Sequence, residues 1–382
     1  MNNKFFIVTT VPRSLYFFSG QIQVLKQKFD MEVVSSGGNS LNDFGLKESI
    51  KVNPINMKRQ ISVFNDIVSL FRLYKLFANK KPFVVHGSTP KAGLLSMVAA
   101  WLAMVPVRIY YVHGLRDQGA TGIKKLILMF MEKVSCFCAT DIFAVSFGVK
   151  KELERSILIN KFVNIINNGS VNGINTNYFD PFNKDIVDLE IFPKGSFIFG
   201  FIGRIVKDKG VNELVKSFIV VNKSYPNTKL LLVGDFEHEL DSIKVKIKSE
   251  ILNNKNIVHY NHQDDVRPFL KIINVFVFPS YREGFGMSLL EALAMNITPI
   301  ATNILGCNEL IENHKNGILV PKKSTRHLVD NMKMLYLDNT RLVQMSNIAR
   351  KVAIDKYEQS VVWEKTVEAY SGIVSNKKAK NA

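Results

Sequence analysis

The sequence is poor in the features that would mark a secreted, disulfide-bonded or membrane-spanning protein. It has only three cysteines in 382 residues, with no even-numbered set that would form a disulfide framework. The longest strongly apolar run, residues 94–107, contains Pro106 and is shorter than the roughly 20 residues that a membrane-spanning helix needs. The first residues enter a strand-like stretch without the pattern of a signal peptide. These absences predict a cytoplasmic protein.

The charge is strongly unbalanced toward cations. The net charge of +17 and the pI near 9.6 favour acidic partners, namely nucleic acid, phosphorylated substrates or an anionic membrane surface. The excess is spread over both halves of the chain, and no concentrated basic arm of the kind that favours DNA binding stands out. Nucleic acid is therefore not expected as a partner, whereas peripheral binding to a membrane is.

Strand-like and helix-like segments alternate along the chain, which predicts an α/β protein built from βαβ units around parallel sheets. The length favours two domains. We predict an N-terminal domain over residues 1–183, a polar linker over 184–195 and a second domain over 196–360. An amphipathic helix over 361–382 is expected to cross back to the first domain.

The most informative stretch covers residues 274–296 and reads as a strand, a glycine-bearing turn and a helix. Gly284 and Gly286 would let backbone N–H groups approach a ligand, and the helix that follows offers unpaired donors and the positive end of its dipole. This arrangement predicts an anion site, in particular a phosphate site.

Two glutamates frame the turn and could accept hydrogen bonds from sugar hydroxyls. Glu283 lies in the turn, and Glu291 lies about 7 Å along the helix from Gly286. Taken alone, two glutamates at this spacing would more often be solvated acids. The preceding strand, the two glycines and the apolar helix favour a functional pair instead.

The stretch E-G-F-G-M-S-L-L-E resembles the donor-site signature of family-4 retaining glycosyltransferases with the GT-B fold. Supporting motifs follow the family order: F-I-G-R-I-V-K-D-K-G at 201–210, L-L-L-V-G-D at 230–235 and G-C-N-E-L-I-E-N-H-K-N-G-I-L-V at 306–320. The resemblance implies two Rossmann-like, doubly wound domains that face each other across a cleft.

The resemblance also implies roles for individual residues. His113 and Glu283 would be catalytic, with His113 near the transferred sugar and Glu283 on the sugar hydroxyls. Arg204 and Lys209 would neutralise the donor diphosphate, and Glu291 would hold the ribose. The remaining donor-binding residues would be Gly20, Gly284, Phe285, Gly286, Met287 and Ser288, and the nucleotide base would lie near Gly234, His262 and Val266.

Two departures from the family pattern concern the N-terminal half. Ser19 and Gly20 stand where members often have a Gly-Gly pair, and an aromatic run, Leu15 to Phe18, precedes them. This run could contact a lipid-linked acceptor or a membrane interface, or it could belong to the core. Asn175 stands where Asp is more common in the family.

The implied function is transfer of a sugar, in particular an N-acetylated hexosamine, from a UDP-sugar to a polyprenyl-diphosphate-linked saccharide during O-antigen or capsule synthesis. No D-x-D motif stands at a predicted strand end, so a metal-independent reaction without a cofactor is expected. The enzyme would act on the cytoplasmic face of the inner membrane. Two alternatives remain open: a nucleotide-sugar epimerase of similar fold, and a non-catalytic module that binds sugar nucleotides or anionic lipid.

Overall fold

The computed structural model describes residues 3–60, 62–157, 161–237 and 241–381. The chain divides into two compact units, unit 1 (Met1–Gly173 and Gln359–Ala382) and unit 2 (Ile174–Glu358). The domain boundaries predicted at 183/184 and 360/361 lie ten and two residues further along the chain. Each unit contains one parallel sheet covered by helices, which confirms the predicted α/β class with two Rossmann-like domains.

Unit 1 contains a seven-stranded, fully parallel sheet in the order β3-β2-β1-β4-β5-β6-β7. Its strands are β1 (Lys4–Val8), β2 (Asp30–Ser35), β3 (Lys51–Pro54), β4 (Val84–Ser88), β5 (Val107–Val112), β6 (Asp141–Ala144) and β7 (Val163–Asn164). Its helices are α1 (Gln21–Leu25), α2 (Asn39–Lys47), α3 (Val63–Lys80), α4 (Pro90–Leu102), α5 (Gly122–Cys138), α6 (Phe147–Ile157) and the C-terminal α13 (Gln359–Asn381). Two 3₁₀ helices, Pro12–Phe18 and Arg116–Gly119, follow β1 and β5.

Unit 2 contains a six-stranded parallel sheet in the order β10-β9-β8-β11-β12-β13. Its strands are β8 (Phe197–Ile202), β9 (Thr228–Val233), β10 (Ile257–Tyr260), β11 (Val275–Phe278), β12 (Thr298–Thr302) and β13 (Ile318–Val320). Its helices are α7 (Val211–Ser224), α8 (Val245–Asn253), α9 (Arg267–Lys271), α10 (Met287–Ala294), α11 (Thr325–Leu337) and α12 (Asn339–Tyr357), with a 3₁₀ turn at Lys207–Lys209.

The strands are near-continuous apolar runs because helices cover both faces of each sheet. In β11 and β12 every residue is buried. In both sheets the strand order reverses at the centre, between β1 and β4 and between β8 and β11. Ligands of open α/β sheets bind beyond the carboxyl ends of the strands at such a reversal, so the loops after these four strands are the natural positions for a site.

The C-terminal helix α13 packs on unit 1 through residues spaced four apart. Val362, Thr366, Tyr370 and Val374 are all buried. The indole N–H of Trp363 donates to Asn172 over 2.6 Å, and the Tyr370 hydroxyl lies 3.1 Å from Nε2 of His86. The chain end is therefore part of the core of unit 1, although it is far from that core in sequence.

Candidate active site

The glycine-bearing turn predicted from the sequence follows β11 and leads into α10. Gly286 is the N-cap of α10 and has φ 79°, a backbone conformation that glycine adopts without strain. The N–H groups of Leu289 and Leu290 donate to its carbonyl oxygen and close the first turn of the helix. Behind the turn, Gly306 has φ 78°, and a Cβ there would meet the Gly284 backbone at 2.8 Å. Gly286 and Gly306, which are 20 residues apart in the sequence, thus allow the close packing of this turn.

The loop after β8 lies beside this turn because β8 and β11 are neighbours in the sheet. A Cβ at Gly210 would meet the carbonyl oxygen of Pro279 at 2.1 Å, so the two loops are in backbone contact. Lys209 and Glu283 form an ion pair with Nζ 2.5 Å from Oε1, and both side chains are largely buried. Lys209 also lies over the ring of Phe278, 5.2 Å from its centroid. The structure thus joins the cation and the carboxylate that the sequence placed in separate motifs.

A second set of contacts fixes the same two loops to each other, and sequence reasoning missed it. The side chain of Arg282 donates to Asp208 over 2.7 Å, and the backbone N–H of Tyr281 donates to the Asp208 carbonyl over 2.8 Å. The Tyr281 hydroxyl donates to Glu213 over 2.6 Å. The only signal in the sequence was that these residues neighbour Lys209 and Glu283. Their contacts hold the Lys209–Glu283 pair in a defined geometry.

Arg204 also follows β8, but its side chain is more than half exposed. Its guanidinium pairs with the carboxylate of Glu237. Exchange of this carboxylate for an anionic ligand would cost Arg204 little, since exposed ion pairs contribute little free energy.

Glu291 lies on the second turn of α10. Burial raises the pKa of this carboxyl to about 7, since no compensating charge or hydrogen bond contributes. A carboxyl group kept in such an environment is suited to accept hydrogen bonds from ligand hydroxyls.

The other residues predicted to bind the donor fall into two groups. Met287 and Ser288 are half-buried in the first turn of α10, whereas Phe285 is buried, with its ring 5.3 Å from that of Tyr357. The Phe285 side chain therefore belongs to the core of unit 2, and any donor contact from this residue would have to come from its backbone.

The region predicted to hold the nucleotide base lies at the carboxyl ends of β9 and β10. Gly234 has φ 141°, and a Cβ there would meet the Gly203 carbonyl oxygen at 2.0 Å. The backbone N–H of His262 donates to the Asp235 carboxylate over 2.9 Å, and Val266 caps α9. These three positions share the sheet edge with the loop that carries Arg204.

In unit 1, His113 directly follows β5, at the carboxyl edge of the sheet. One of its ring nitrogens, Nε2, is hydrogen-bonded to the hydroxyl of Ser88 at the end of the neighbouring strand β4. The ring of Phe17 stacks on the imidazole with 5.5 Å between centroids. Burial lowers the pKa of His113 to about 4, so the imidazole is neutral at physiological pH. It can exchange hydrogen bonds there but does not supply a cation.

The aromatic run before Gly20 is divided between core and surface. Leu15 and Phe18 are buried, whereas Tyr16 and Phe17 are about two-fifths exposed. The expectation of a core position is therefore confirmed for Leu15 and Phe18, which share one face of the 3₁₀ helix because they are three residues apart. Contact of Tyr16 and Phe17 with a lipid-linked acceptor or a membrane interface stays a prediction.

Gly20 has a structural environment that the sequence did not reveal. Its N–H donates to the Glu48 carboxylate over 3.0 Å, and the indole ring of Trp363 occupies the space in which a Cβ would lie, 2.7 Å away. Ser19 Oγ donates to the same carboxylate over 2.8 Å. The structure thus gives Gly20 a packing role, and binding of an anion by its N–H would require Glu48 to move away.

Within the described ranges, no three or more His, Cys, Asp or Glu side chains are grouped so that they could hold a metal ion. None of the helices in those ranges combines the length and apolar character needed to cross a bilayer.

Comparison with known proteins matches these units to glycosyltransferases. Residues 184–352 match the family Glycosyl transferases group 1, and residues 9–146 match the family Glycosyl transferase 4-like. The chain is 36% identical to the capsular polysaccharide biosynthesis glycosyltransferase CapM of Staphylococcus aureus, covering 99% of this chain and all of the relative.

A second relative is the UDP-Gal:α-D-GlcNAc-diphosphoundecaprenol α-1,3-galactosyltransferase of Escherichia coli, at 26% identity over 92% of this chain and 91% of the relative. Among solved structures, Anabaena HepE in complex with UDP-glucose superimposes with a TM-score of 0.80 at 15% identity, covering 97% of this chain and 99% of that one. This likeness confirms the GT-B fold. The chain belongs to the group 1 glycosyltransferases.

Proposed function

We propose that this glycosyltransferase moves a hexosyl residue, in particular an N-acetylhexosamine, from a UDP-sugar to a saccharide on a polyprenyl diphosphate, with retention of anomeric configuration. The product would serve capsular or O-antigen polysaccharide synthesis. Support comes from the names of the relatives, one in capsule synthesis and one with an undecaprenyl-diphosphate acceptor. The observation that carries the proposal is the Lys209–Glu283 ion pair beside the start of α10.

The donor diphosphate gains negative charge as the bond to the sugar breaks. The ammonium of Lys209, the guanidinium of Arg204 and the positive end of the α10 dipole are cationic groups at one sheet edge that can stabilise this charge. Arg204 suits a phosphate because its guanidinium can bind two oxygens at once. The ion pair with Glu283 lowers the cost of keeping the Lys209 ammonium largely buried.

The carboxylates act on hydroxyl groups rather than on the phosphates. Glu283 accepts hydrogen bonds from the transferred sugar and keeps Lys209 in place while it does so. Glu291 accepts hydrogen bonds from the ribose and becomes fully ionised when those donors arrive, since hydrogen bonding to the charged form lowers the pKa of a carboxyl group.

His113 contributes a neutral imidazole to the reaction. Because Nε2 is hydrogen-bonded to the Ser88 hydroxyl, the other ring nitrogen, Nδ1, can form a hydrogen bond with a sugar hydroxyl. A neutral imidazole does not repel the positive charge that develops on the sugar ring during transfer, whereas an imidazolium would.

The reaction is proposed to need no divalent cation, because the charge on the leaving group is balanced by side chains and a helix terminus. Transfer measured by mass spectrometry should therefore be unchanged by EDTA. Loss of activity in EDTA that returns with Mg²⁺ or Mn²⁺ would contradict this part of the proposal.

The decisive experiment is a mass-spectrometric transfer assay. UDP-GlcNAc, UDP-GalNAc, UDP-Gal and UDP-Glc, with GDP- and TDP-sugars, would each be offered with a short-chain polyprenyl-diphosphate-sugar acceptor. We expect the acceptor to gain the mass of one hexosyl unit from one UDP-sugar. The gain should disappear in Glu283→Ala and persist in Glu312→Gln, an exposed control in the same unit.

Other outcomes identify the alternatives. A changed donor without a new glycosidic bond would indicate an epimerase. Binding of UDP with neither product would indicate a non-catalytic module and would overturn the proposed transfer.

A further inference from the structure

Exposed aromatic side chains are concentrated in unit 1. Among the described residues, seven of the eight exposed phenylalanines lie in this unit, and four of them are on α3 and α5. Soluble surfaces carry scattered apolar residues, whereas a cluster on particular helices indicates a surface that something covers.

On α3 the exposed apolar residues form a stripe along the first half of the helix. Val63, Phe64, Ile67 and Phe71 are each at least 56% exposed. Their spacing of three to four residues puts Val63, Ile67 and Phe71 on one face, while Leu73 and Phe77 point into the core from the other.

On α5 the same pattern recurs. Ile123, Leu126, Ile127 and Phe130 are exposed over the first two and a half turns, and buried residues appear only from Ser135 onward. The first turns of α5 thus carry large apolar side chains that no other described segment of unit 1 covers.

The two helices present these segments at the same end of the unit. In a parallel sheet each helix starts at the carboxyl edge and runs back toward the next strand. Both α3 and α5 pack against α4, so they lie on one face of the sheet. Their exposed first turns therefore lie at the carboxyl edge, which is also the edge that carries His113 and Ser88.

Around both stripes the exposed charges are positive. Seven exposed cations lie on the two helices or just before α3: Lys58, Arg59, Arg72, Lys75, Lys124, Lys125 and Lys133.

The acids of these helices are turned inward. Asp66 pairs with the buried Lys91 at 2.7 Å, and Glu132 accepts from the Tyr110 hydroxyl over 2.7 Å. The surface therefore combines exposed apolar side chains with exposed cations, and its acids are paired on the inner side of the helices. Such a surface is complementary to a bilayer with an anionic surface.

We propose that the exposed first turns of α3 and α5, with their seven cations, form a membrane-docking surface that inserts into the interface of an anionic bilayer. A second copy of this chain is a poorer occupant, because it would bring two sets of cations together. The inference deepens the proposed function and rests on it in one respect. A lipid-linked acceptor in the same bilayer would have its sugar close to the edge that carries His113.

The test is flotation of the full chain with vesicles of phosphatidylglycerol and phosphatidylcholine, compared with phosphatidylcholine alone. We expect binding to the anionic vesicles that weakens at high salt. Lys124→Gln with Lys125→Gln should weaken it about thirtyfold, since each cation near the surface contributes about fivefold. Phe64→Ser with Phe130→Ser should weaken it by about tenfold or more.

Matched controls remove the same kinds of residue from unit 2. Lys246→Gln with Lys351→Gln removes two exposed cations, and Val245→Ser with Leu337→Ser removes two exposed apolar side chains. Neither pair should change vesicle binding. If the control variants lost as much vesicle binding as the docking variants, the binding would reflect nonspecific attraction by net charge, and the proposal would be overturned.

A depth measurement tests insertion directly. With Phe130→Trp, the indole should be quenched by brominated lipid, whereas Val245→Trp should not. If Phe130→Trp is not quenched, or if the docking variants change only the oligomeric state, the surface is not a bilayer site. Transfer to a water-soluble short-chain acceptor tests the enzyme separately: its failure would count against the proposed function and leave the vesicle result valid.

Discussion

Replacement of Glu291 by glutamine should stabilise unit 2 at neutral and alkaline pH while weakening donor binding. Burial raises the pKa of this carboxyl to about 7, compared with 4.5 for an exposed glutamate. The folded protein therefore holds the proton more tightly than the unfolded chain does. The stability that comes from the protonated group is fully present below pH 4.5 and is lost as the pH rises to about 7.

The magnitude follows from the difference between the two pKa values. The ionised group destabilises the fold by about 3 kcal/mol at pH 8 and by about 1 kcal/mol at pH 5. Glutamine has nearly the same shape and cannot ionise. Its advantage over glutamate should thus grow by about 2 kcal/mol between these pH values, which for a unit of this size is about 4–8 °C in Tm.

The assay is thermal unfolding at pH 5 and pH 8, with and without UDP, so that the transition of the nucleotide-binding unit is identified by its shift. Glu312→Gln, at an exposed carboxylate in the same unit, is the control and should show no pH-dependent gain. UDP should bind Glu291→Gln about tenfold more weakly, since hydrogen bonds to a charged acceptor are lost. A gain in Tm that is equal at both pH values would refute the argument from burial.

The remaining predictions concern other parts of the two units. Glu283→Ala should lower transfer about a hundredfold or more with little change in UDP affinity, whereas Lys209→Ala should weaken both, as single-turnover assays and calorimetry would show; transfer within a few-fold of wild type in Glu283→Ala would contradict the site. Gly210→Ala should lower the stability of unit 2 by about 2–4 kcal/mol, because its Cβ would lie 2.1 Å from the Pro279 carbonyl oxygen at φ 71°; denaturation with unchanged midpoint would contradict this packing. Burial lowers the pKa of His86 to about 3, so the folded state resists protonation and stability is lost as the pH falls below 6.5. His86→Phe should reduce that loss between pH 7 and pH 5 by about 2 kcal/mol, measured by urea unfolding at the two pH values.

The elements that the sequence failed to predict are the short ones near the edge of the first sheet. These are helix α2, which has nine residues, and strand β3, which has four and forms one edge of the sheet. β3 has no fully buried residue, so it lacks the apolar pattern by which strands are recognised. Edge strands of this kind are defined by pairing with a neighbour, which a local pattern does not contain.

The candidate site was predictable to the level of loops but not of contacts. The glycines and charged residues after β8 and β11 identified the two loops, and the parallel-sheet argument brought them to one edge. The Lys209–Glu283 ion pair joins residues 74 positions apart, and the Asp208–Arg282 contact spans the same distance. Neither could be read from spacing, because both depend on which strands are neighbours.

The sequence by itself determined the fold class and the identity of the loops that carry the chemistry. Alternation of apolar strands with amphipathic helices is compatible with few folds other than an α/β fold with parallel sheets. A glycine-rich turn between a strand and a helix is typical of an anion site. Only the tertiary structure decided the environments: that Glu48 and Trp363 enclose Gly20, that Ser88 lies beside His113, and that the half-buried Glu291 has a desolvated carboxyl group. Those environments depend on strand order and on chain segments distant in sequence, and they lower the pKa of His113 and raise that of Glu291.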